Sequence, residues 1–285
     1  MSTLSPPQTE INSVIALYSN GQVQEALDAV ETLIKSYPNE PFLYNISGAC
    51  FAGLGQLDNA LQSYEKALTI KPDYAEVHYN LGVTLQELDQ LEAAVKSYEK
   101  AITIKPDYAD AYINLGITLK NLGQLDAAVK SYEKAIAINP DYAEAHNNLG
   151  NTLDDLGQLD AAVKSYENAL AIKPDFAEAH NNLGNTLMNL DQLNEAVKCF
   201  KQALAIKPDY AEAHYNLGNT LMNLDQLDAA LVSYERAIVL KPDIKFLLGQ
   251  SLHTKMHLCI WDNLPNRLNE LTKKINNNEI VIEPF

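Results

Sequence analysis

The sequence predicts an all-α solenoid of antiparallel helix pairs, and three observations carry that prediction. A phrase of the form Lys105-Pro106-Asp107-Tyr108-Ala109-Asp110 returns every 34 residues, marked by Pro38, Pro72, Pro106, Pro140, Pro174, Pro208 and Pro242. A fixed period of this length belongs to a repeat architecture, in which each unit buries its apolar face on the next. Between prolines, two apolar runs at helical spacing flank a Gly-Gln or Asp-Gln break. Each run spans about four turns, which is marginal for an isolated helix, so the runs must pack on each other.

The proline phrase ends one helix, because proline lacks the amide and excludes helical geometry from the residue before it. The Asp that follows is expected to cap the next helix, with an acid three places on: Asp73 and Glu76, Asp107 and Asp110, Asp141 and Glu144, Asp175 and Glu178, Asp209 and Glu212. That spacing reads as a variant capping box.

Residues 143–176 serve as the model repeat. A first helix, about Ala143 to Leu156, places Leu149, Gly150, Leu153 and Leu156 on one face. Gly157 suits a left-handed helix end, and Asp89, Asp191 and Asp225 replace it elsewhere. A second helix, about Leu159 to Ile172, carries Leu159, Ala162, Val163, Tyr166, Ala169 and Leu170 on one face. Gly150 and Ala162 are expected at the closest approach of the two helices, Ala169 at the contact with the next repeat, and Tyr166 in the space between.

The predicted organisation is a disordered tail at 1–6 and a degenerate end repeat at 7–40. Six repeats follow, at 41–74, 75–108, 109–142, 143–176, 177–210 and 211–244, then a helical cap and linker-like segment at 245–285. The cap comprises a helix from Asp243 to His257, another from about Leu264 to Ile275, and a tail from Ile280 to Phe285.

Leu149, Gly150, Ala162, Tyr166, Ala169 and Pro174 fall where the tetratricopeptide repeat keeps Leu, Gly, Ala, an aromatic, Ala and Pro. The first Trp of that pattern is His146 here, and Tyr44, His78, Tyr112, His180 or His214 in other copies. Residues 7–244 therefore resemble this family. The resemblance implies a right-handed superhelix whose first helices line a concave groove for extended peptides. The segment from Leu248 through Cys259-Ile260-Trp261-Asp262 is similar to the linker between repeats and catalytic lobes in the O-GlcNAc-transferase/SPINDLY glycosyltransferases. That family has Cys-Asp-Trp, and Ile260 departs from it. The resemblance implies a substrate-binding arm whose catalytic lobes would begin about where this sequence ends.

Two rows of asparagine are the candidate peptide-binding residues. Asn80, Asn114, Asn148, Asn182 and Asn216 share one register position; Asn151, Asn185 and Asn219 lie three residues on, on the same helical face. Asn is a poor interior helix residue. Its carboxamide offers donor and acceptor, so a row of them can pair with the backbone of an extended chain whatever its side chains. The resemblance adds that the transferase groove carries a similar asparagine ladder. Tyr79, Ile113, Met188, Tyr215 and Met222 are expected either to add apolar contacts to a ligand or, for some of them, to belong to the core. Glu76, Asp110, Glu144, Glu178 and Glu212 would make a groove acidic, but their place in the first turn favours service to the helix dipole. The Lys and Arg residues of a carboxylate clamp are absent from these positions.

The composition narrows the partners. The net charge is −16 and the pI about 4.7, which opposes nucleic acid as a main partner. The apolar runs are too short to span a membrane, and Met1 to Thr9 has no signal-peptide pattern, so a cytoplasmic protein is expected. Cys50, Cys199 and Cys259 have neither disulfide nor zinc spacing. His78, His146, His180 and His214 fall in different layers and are expected to pack. His253 and His257 have the i, i+4 spacing of a metal pair, but Thr254 stands where a zinc protease needs Glu. No phosphate loop or nucleophile motif appears, so no cofactor or metal is expected. The functional expectation is a protein-binding solenoid, not itself an enzyme, taking extended segments of basic or Ser/Thr-rich character. The alternatives are a stand-alone adaptor and, less favoured, an active transferase. The sequence assigns no oligomeric state.

Overall fold

The computed structural model describes residues 5–262 and 264–276, which form helices and turns with no strand among them. The chain divides into two compact units, Met1–Pro140 and Asp141–Phe285. The first holds α1 (Gln8–Ser19), α2 (Val23–Ser36), α3 (Pro41–Gly53), α4 (Leu57–Ile70), α5 (Ala75–Glu87), α6 (Leu91–Ile104), α7 (Ala109–Asn121) and α8 (Leu125–Ile138). The second holds α9 (Ala143–Asp155), α10 (Leu159–Ile172), α11 (Ala177–Asn189), α12 (Leu193–Ile206), α13 (Ala211–Asn223), α14 (Leu227–Leu240), α15 (Leu247–His257) and α16 (Leu264–Asn276). Within each unit every odd helix packs on the even helix that follows, and the even helix packs on the next pair. No helix among the described residues is long and apolar enough to cross a membrane.

The breaks between paired helices follow the local chemistry. In the first unit Gly21, Gly55 and Gly123 adopt φ of 78°, 72° and 73°, and Asp89 reaches 59°. In the second unit Gly157 is at 72°, while Asp191 and Asp225 take 59° and 56°. The amide after the left-handed residue returns to the helix, Gln90 to Leu85 O and Gln158 to Leu153 O, each at 2.8 Å. This is the six-to-one closure that satisfies an orphan carbonyl at a helix end.

The expected capping box does not form. The N-caps are Tyr74, Tyr108, Tyr142, Phe176 and Tyr210, and none makes a side-chain cap bond. The helix starts one residue later than the box requires, which puts Asp outside the cap and the acid at the second helical position. The lysine before the proline instead covers the cap aromatic. Lys71 lies 4.5 Å from the Tyr74 ring centroid and Lys207 4.9 Å from that of Tyr210, a cation–π arrangement. Lysines of the same phrase also reach the first-turn acid of the preceding pair: Lys173 to Glu144 at 3.1 Å, Lys241 to Glu212 at 2.8 Å. The Glu144 carboxyl is held below its ordinary range by its own backbone amide and by Lys173.

The closest approach inside a pair also differs from expectation. A Cβ on Gly150 would meet the Tyr166 ring at 2.6 Å, and one on Gly82 would meet Tyr98 at 2.6 Å. The glycine makes room for the aromatic of the second helix rather than for an alanine. The rings are buried, at 0% exposure for Tyr98 and 2% for Tyr166, and Ala162 and Ala169 are buried as well.

At the carboxyl end, α15 begins at Leu247, after a left-handed Phe246, and not at Asp243. Leu252 stands in the register of Gly218 and is buried at 4% exposure. That is possible because residues 264–276 contain no aromatic residue to fill the place that Tyr234 takes against Gly218. Leu268 and Trp261 are correspondingly exposed, at 43% and 56%. The predicted tail from Ile280 to Phe285, and residues 1–4 of the predicted disordered start, lie outside the described residues.

Candidate functional site

Within the first unit α3, α5 and α7 touch in series; within the second, α9, α11 and α13 do so, while successive second helices approach each other less. The first helices therefore form the inner layer of each unit, and both asparagine rows lie on them. All eight candidate asparagines are half-buried.

The first row is tied to the preceding repeat. Asn80 Nδ2 donates to Asn45 Oδ1 at 3.0 Å, and Asn114 Nδ2 to the Tyr79 hydroxyl at 2.9 Å. In the second unit Asn182 Nδ2 donates to Asn147 Oδ1 at 3.2 Å and to Asn151 Oδ1 at 2.9 Å, and Asn216 Nδ2 to Asn181 Oδ1 at 3.1 Å. Each of these amides spans to the first helix of the previous pair. Their Oδ1 acceptors stay without a donor among the described residues. Asn148 has no side-chain partner among the described residues at all.

The second row meets the buried aromatic. Tyr166 donates to Asn151 Oδ1 and Tyr234 to Asn219 Oδ1, both at 2.8 Å. Phe200 replaces tyrosine in the intervening pair and has no hydroxyl, so Asn185 has no partner among the described residues. Burial and the nearby Asp154 push the Tyr166 phenol well above its ordinary pKa, so it remains a donor. In the first unit this row is Ala49, Val83 and Ile117, and Tyr98 donates instead to Gln86 Oε1 at 3.1 Å.

Other expected contacts separate into lining and core. Ile113 is buried at 7% exposure and is unavailable to a ligand. Tyr79 packs against Tyr98 and Tyr108, with centroids 6.0 and 5.0 Å away, and Tyr215 against Tyr234 at 6.2 Å. Met188 and Met222 line an open hollow of about 440 Å³ with Asn219, Tyr234, Gln250 and His253. A hollow of about 250 Å³ in the first unit is lined by Tyr18, Ala49, Ala52, Tyr64, Asn80 and Val83.

Residues in the Trp register do more than pack. Tyr44 OH lies 3.1 Å from Pro38 O, and His78, His180 and His214 Nε2 lie 2.9, 3.0 and 3.1 Å from the carbonyls of Pro72, Pro174 and Pro208. They fasten the helix start to the proline turn. The His253 and His257 rings touch at a tilt of 59°, with centroids 4.4 Å apart. Burial raises the Cys50 and Cys199 thiols to about 11, which leaves both protonated and unreactive at neutral pH.

The TPR repeat model matches residues 50–89, 87–123, 119–156, 150–191 and 189–225, and the tetratricopeptide repeat model matches 211–244. No curated protein matches the chain. Among solved structures, MamA is 32% identical over 58% of this chain and 96% of its own, with a TM-score of 0.55. YrrB, described as a TPR protein with an unusual peptide-binding site, is 26% identical over 69% of this chain and 99% of its own, at a TM-score of 0.56. The Cut9–Hcn1 hetero-tetramer of APC/C shares the fold at a TM-score of 0.66 and 15% identity, over 85% of this chain and 48% of that one. With repeat matches running without a gap from residue 50 to residue 244, the chain belongs to the tetratricopeptide repeat family.

Proposed function

We propose that the protein binds extended segments of other proteins along the inner layer of its first helices, as the partner- or substrate-binding arm of an O-GlcNAc-transferase-like protein. The observation that carries the binding reading is the open hydrogen-bonding capacity of the two asparagine rows. Asn182 and Asn216 have donors fixed by the neighbouring repeat and acceptors left over, and Asn148 and Asn185 have whole carboxamides left over. An extended peptide offers alternating N–H and C=O groups, which such a row can meet without reading side chains. The peptide-binding site described for YrrB lends this general support. The transferase assignment rests on the linker-like stretch ending in Cys259-Ile260-Trp261-Asp262. Ser/Thr-rich segments would suit such an arm, and a net charge of −16 favours basic ones. The match to MamA across 96% of that chain, itself a repeat protein by this alignment, favours the adaptor as a second reading.

The test is affinity for blocked Ser/Thr-rich peptides, measured by fluorescence anisotropy. Because the side chains of Asn148 and Asn185 hold no hydrogen bond among the described residues, their joint replacement by Ala should weaken binding while leaving the melting temperature unchanged or raised. A lost bond is worth about 0.5–1.5 kcal/mol, so roughly two- to tenfold per site is expected. Unchanged affinity on an intact fold would mean that the rows serve only the packing of repeats.

A further inference from the structure

The hollow in the second unit and the hollow in the first are the same place in the repeat. Met188, Asn219, Met222, Tyr234, Gln250 and His253 line one; Tyr18, Ala49, Ala52, Tyr64, Asn80 and Val83 line the other, each five periods of 34 residues earlier. The hollow is therefore a regular product of three successive first helices and one buried aromatic, and its lining varies. In the second unit the methionine register runs Asp154, Met188, Met222. Thr186 donates to Asp154 Oδ1 at 2.7 Å, while Thr220 and Thr254 lie 3.4 and 3.1 Å from the sulfurs of Met188 and Met222. The same threonine thus accepts either a carboxylate or a thioether as its partner.

We infer that the hollow at Met188 and Met222 is a side-chain pocket that selects an uncharged aromatic residue in the bound peptide. This rests on the peptide-binding reading above. About 440 Å³ lies in the range of pockets that hold small ligands, about 300–1,000 Å³. Its lining contains no Asp, Glu, Lys or Arg, so no carboxylate, ammonium or guanidinium there offsets the desolvation of a charged side chain. Two thioethers supply polarisable walls that favour an aromatic ring over an aliphatic chain. Asn219, Asn223 and Gln250 complete the walls with uncharged amides. The partner is therefore an extended segment that carries an aromatic residue.

The chain contains four methionines, which makes the pocket directly observable through ¹³C-labelled methionine methyl groups. The probes are blocked peptides Gly-Ser-Thr-X-Thr-Ser-Gly with X as Trp, Ala, Lys or Glu. The Trp peptide should bind about tenfold more tightly than the Ala peptide. It should shift the Met188 and Met222 methyl signals by ring current and leave Met1 and Met256 in place. Met222→Asp recreates the Thr–Asp pairing already present at Asp154, so the fold should hold; the Trp preference should then vanish and the Lys peptide should gain. Equal binding of Trp and Ala peptides, both weakened by Asn148→Ala with Asn185→Ala, would overturn the pocket and keep the groove. Tighter Trp binding with unmoved Met188 and Met222 signals would also overturn it. Failure of every peptide to bind would sink both readings.

Discussion

Where the second unit carries Asn151, Asn185 and Asn219, the first carries Ala49, Val83 and Ile117 at the same register. Behind those residues the two units are built alike. A Cβ on Gly82 would meet Tyr98, and one on Gly150 would meet Tyr166, at the same 2.6 Å, and Thr84 and Thr152 are buried at matching positions. The comparison separates two kinds of position. Glycine, alanine, threonine and the buried ring are fixed by the geometry of helix against helix. The inner positions three residues beyond the first asparagine row are only half-buried in both units, and where they meet the partner helix or the next pair, as Asn151 meets Tyr166 and Asn182, they do so through hydrogen bonds, so their chemistry is freer to change. An apolar inner lining in one unit and an amide lining in the other is what that freedom has produced.

If the shared scaffold is the constraint, damage to it must be equal in both units. Gly82→Leu and Gly184→Leu should each destabilise by about 1–3 kcal/mol through overpacking against Tyr98 and Phe200. Urea titration followed by helical circular dichroism would measure both. A large loss in one unit and none in the other would break the equivalence.

The amide row offers a finer contrast. Asn151 Oδ1 receives both Tyr166 OH, at 2.8 Å, and Asn182 Nδ2, at 2.9 Å. Asn151→Ala removes both bonds and takes a hydrogen-bond partner from a phenol whose side chain is only 2% exposed, so a loss of about 1–3 kcal/mol is expected. Asn185→Ala removes no bond among the described residues and should stay within about 0.5 kcal/mol of the parent, on the stabilising side because Ala is the better helix former. Conversely, Phe200→Tyr should restore the missing hydroxyl and add about 0.5–1.5 kcal/mol. Equal losses at Asn151 and Asn185 would show that the aromatic bond is not what distinguishes them.

These contrasts also mark what the sequence made legible. Helix pairs, their ends and the left-handed Asp89, Asp191 and Asp225 follow from neighbouring residues, so period and propensity suffice to place them. The capping box failed because a helix starting one residue late exchanges the roles of Asp73 and Tyr74, a shift smaller than local rules resolve. The asparagine rows were visible as a period, but their bonds were not. The first-row bonds of Asn80, Asn114 and Asn216, and one of the two made by Asn182, link residues 35 apart in a 34-residue repeat, joining Asn182 to Asn147 rather than to Asn148. The doublets Asn147-Asn148 and Asn181-Asn182 were the available signal. The hollows, which need three helices at once, had no signal in any single repeat.

The smallest effect concerns the Trp register, where the first unit has Tyr44, His78 and Tyr112 and the second has His146, His180 and His214. His214 Nε2 faces the Pro208 carbonyl at 3.1 Å. Burial holds its pKa below the ordinary imidazole value; the proline carbonyl opposes that shift, and Arg236 adds to it. Between the folded and unfolded values, the unfolded chain binds more protons. The stability that His214 contributes is thus present above the unfolded imidazole pKa of about 6.5 and is lost as pH falls toward the lower folded value. The melting temperature should therefore decline on going from pH 8 to pH 5, and His214→Tyr should flatten part of that decline. Tyrosine already serves this register at Tyr44, where its hydroxyl meets Pro38 O at 3.1 Å, so the replacement keeps the fastening and removes the titration. A His214→Tyr variant whose decline matches the parent, with its melting temperature at pH 8 preserved, would place the pH response elsewhere than in this imidazole.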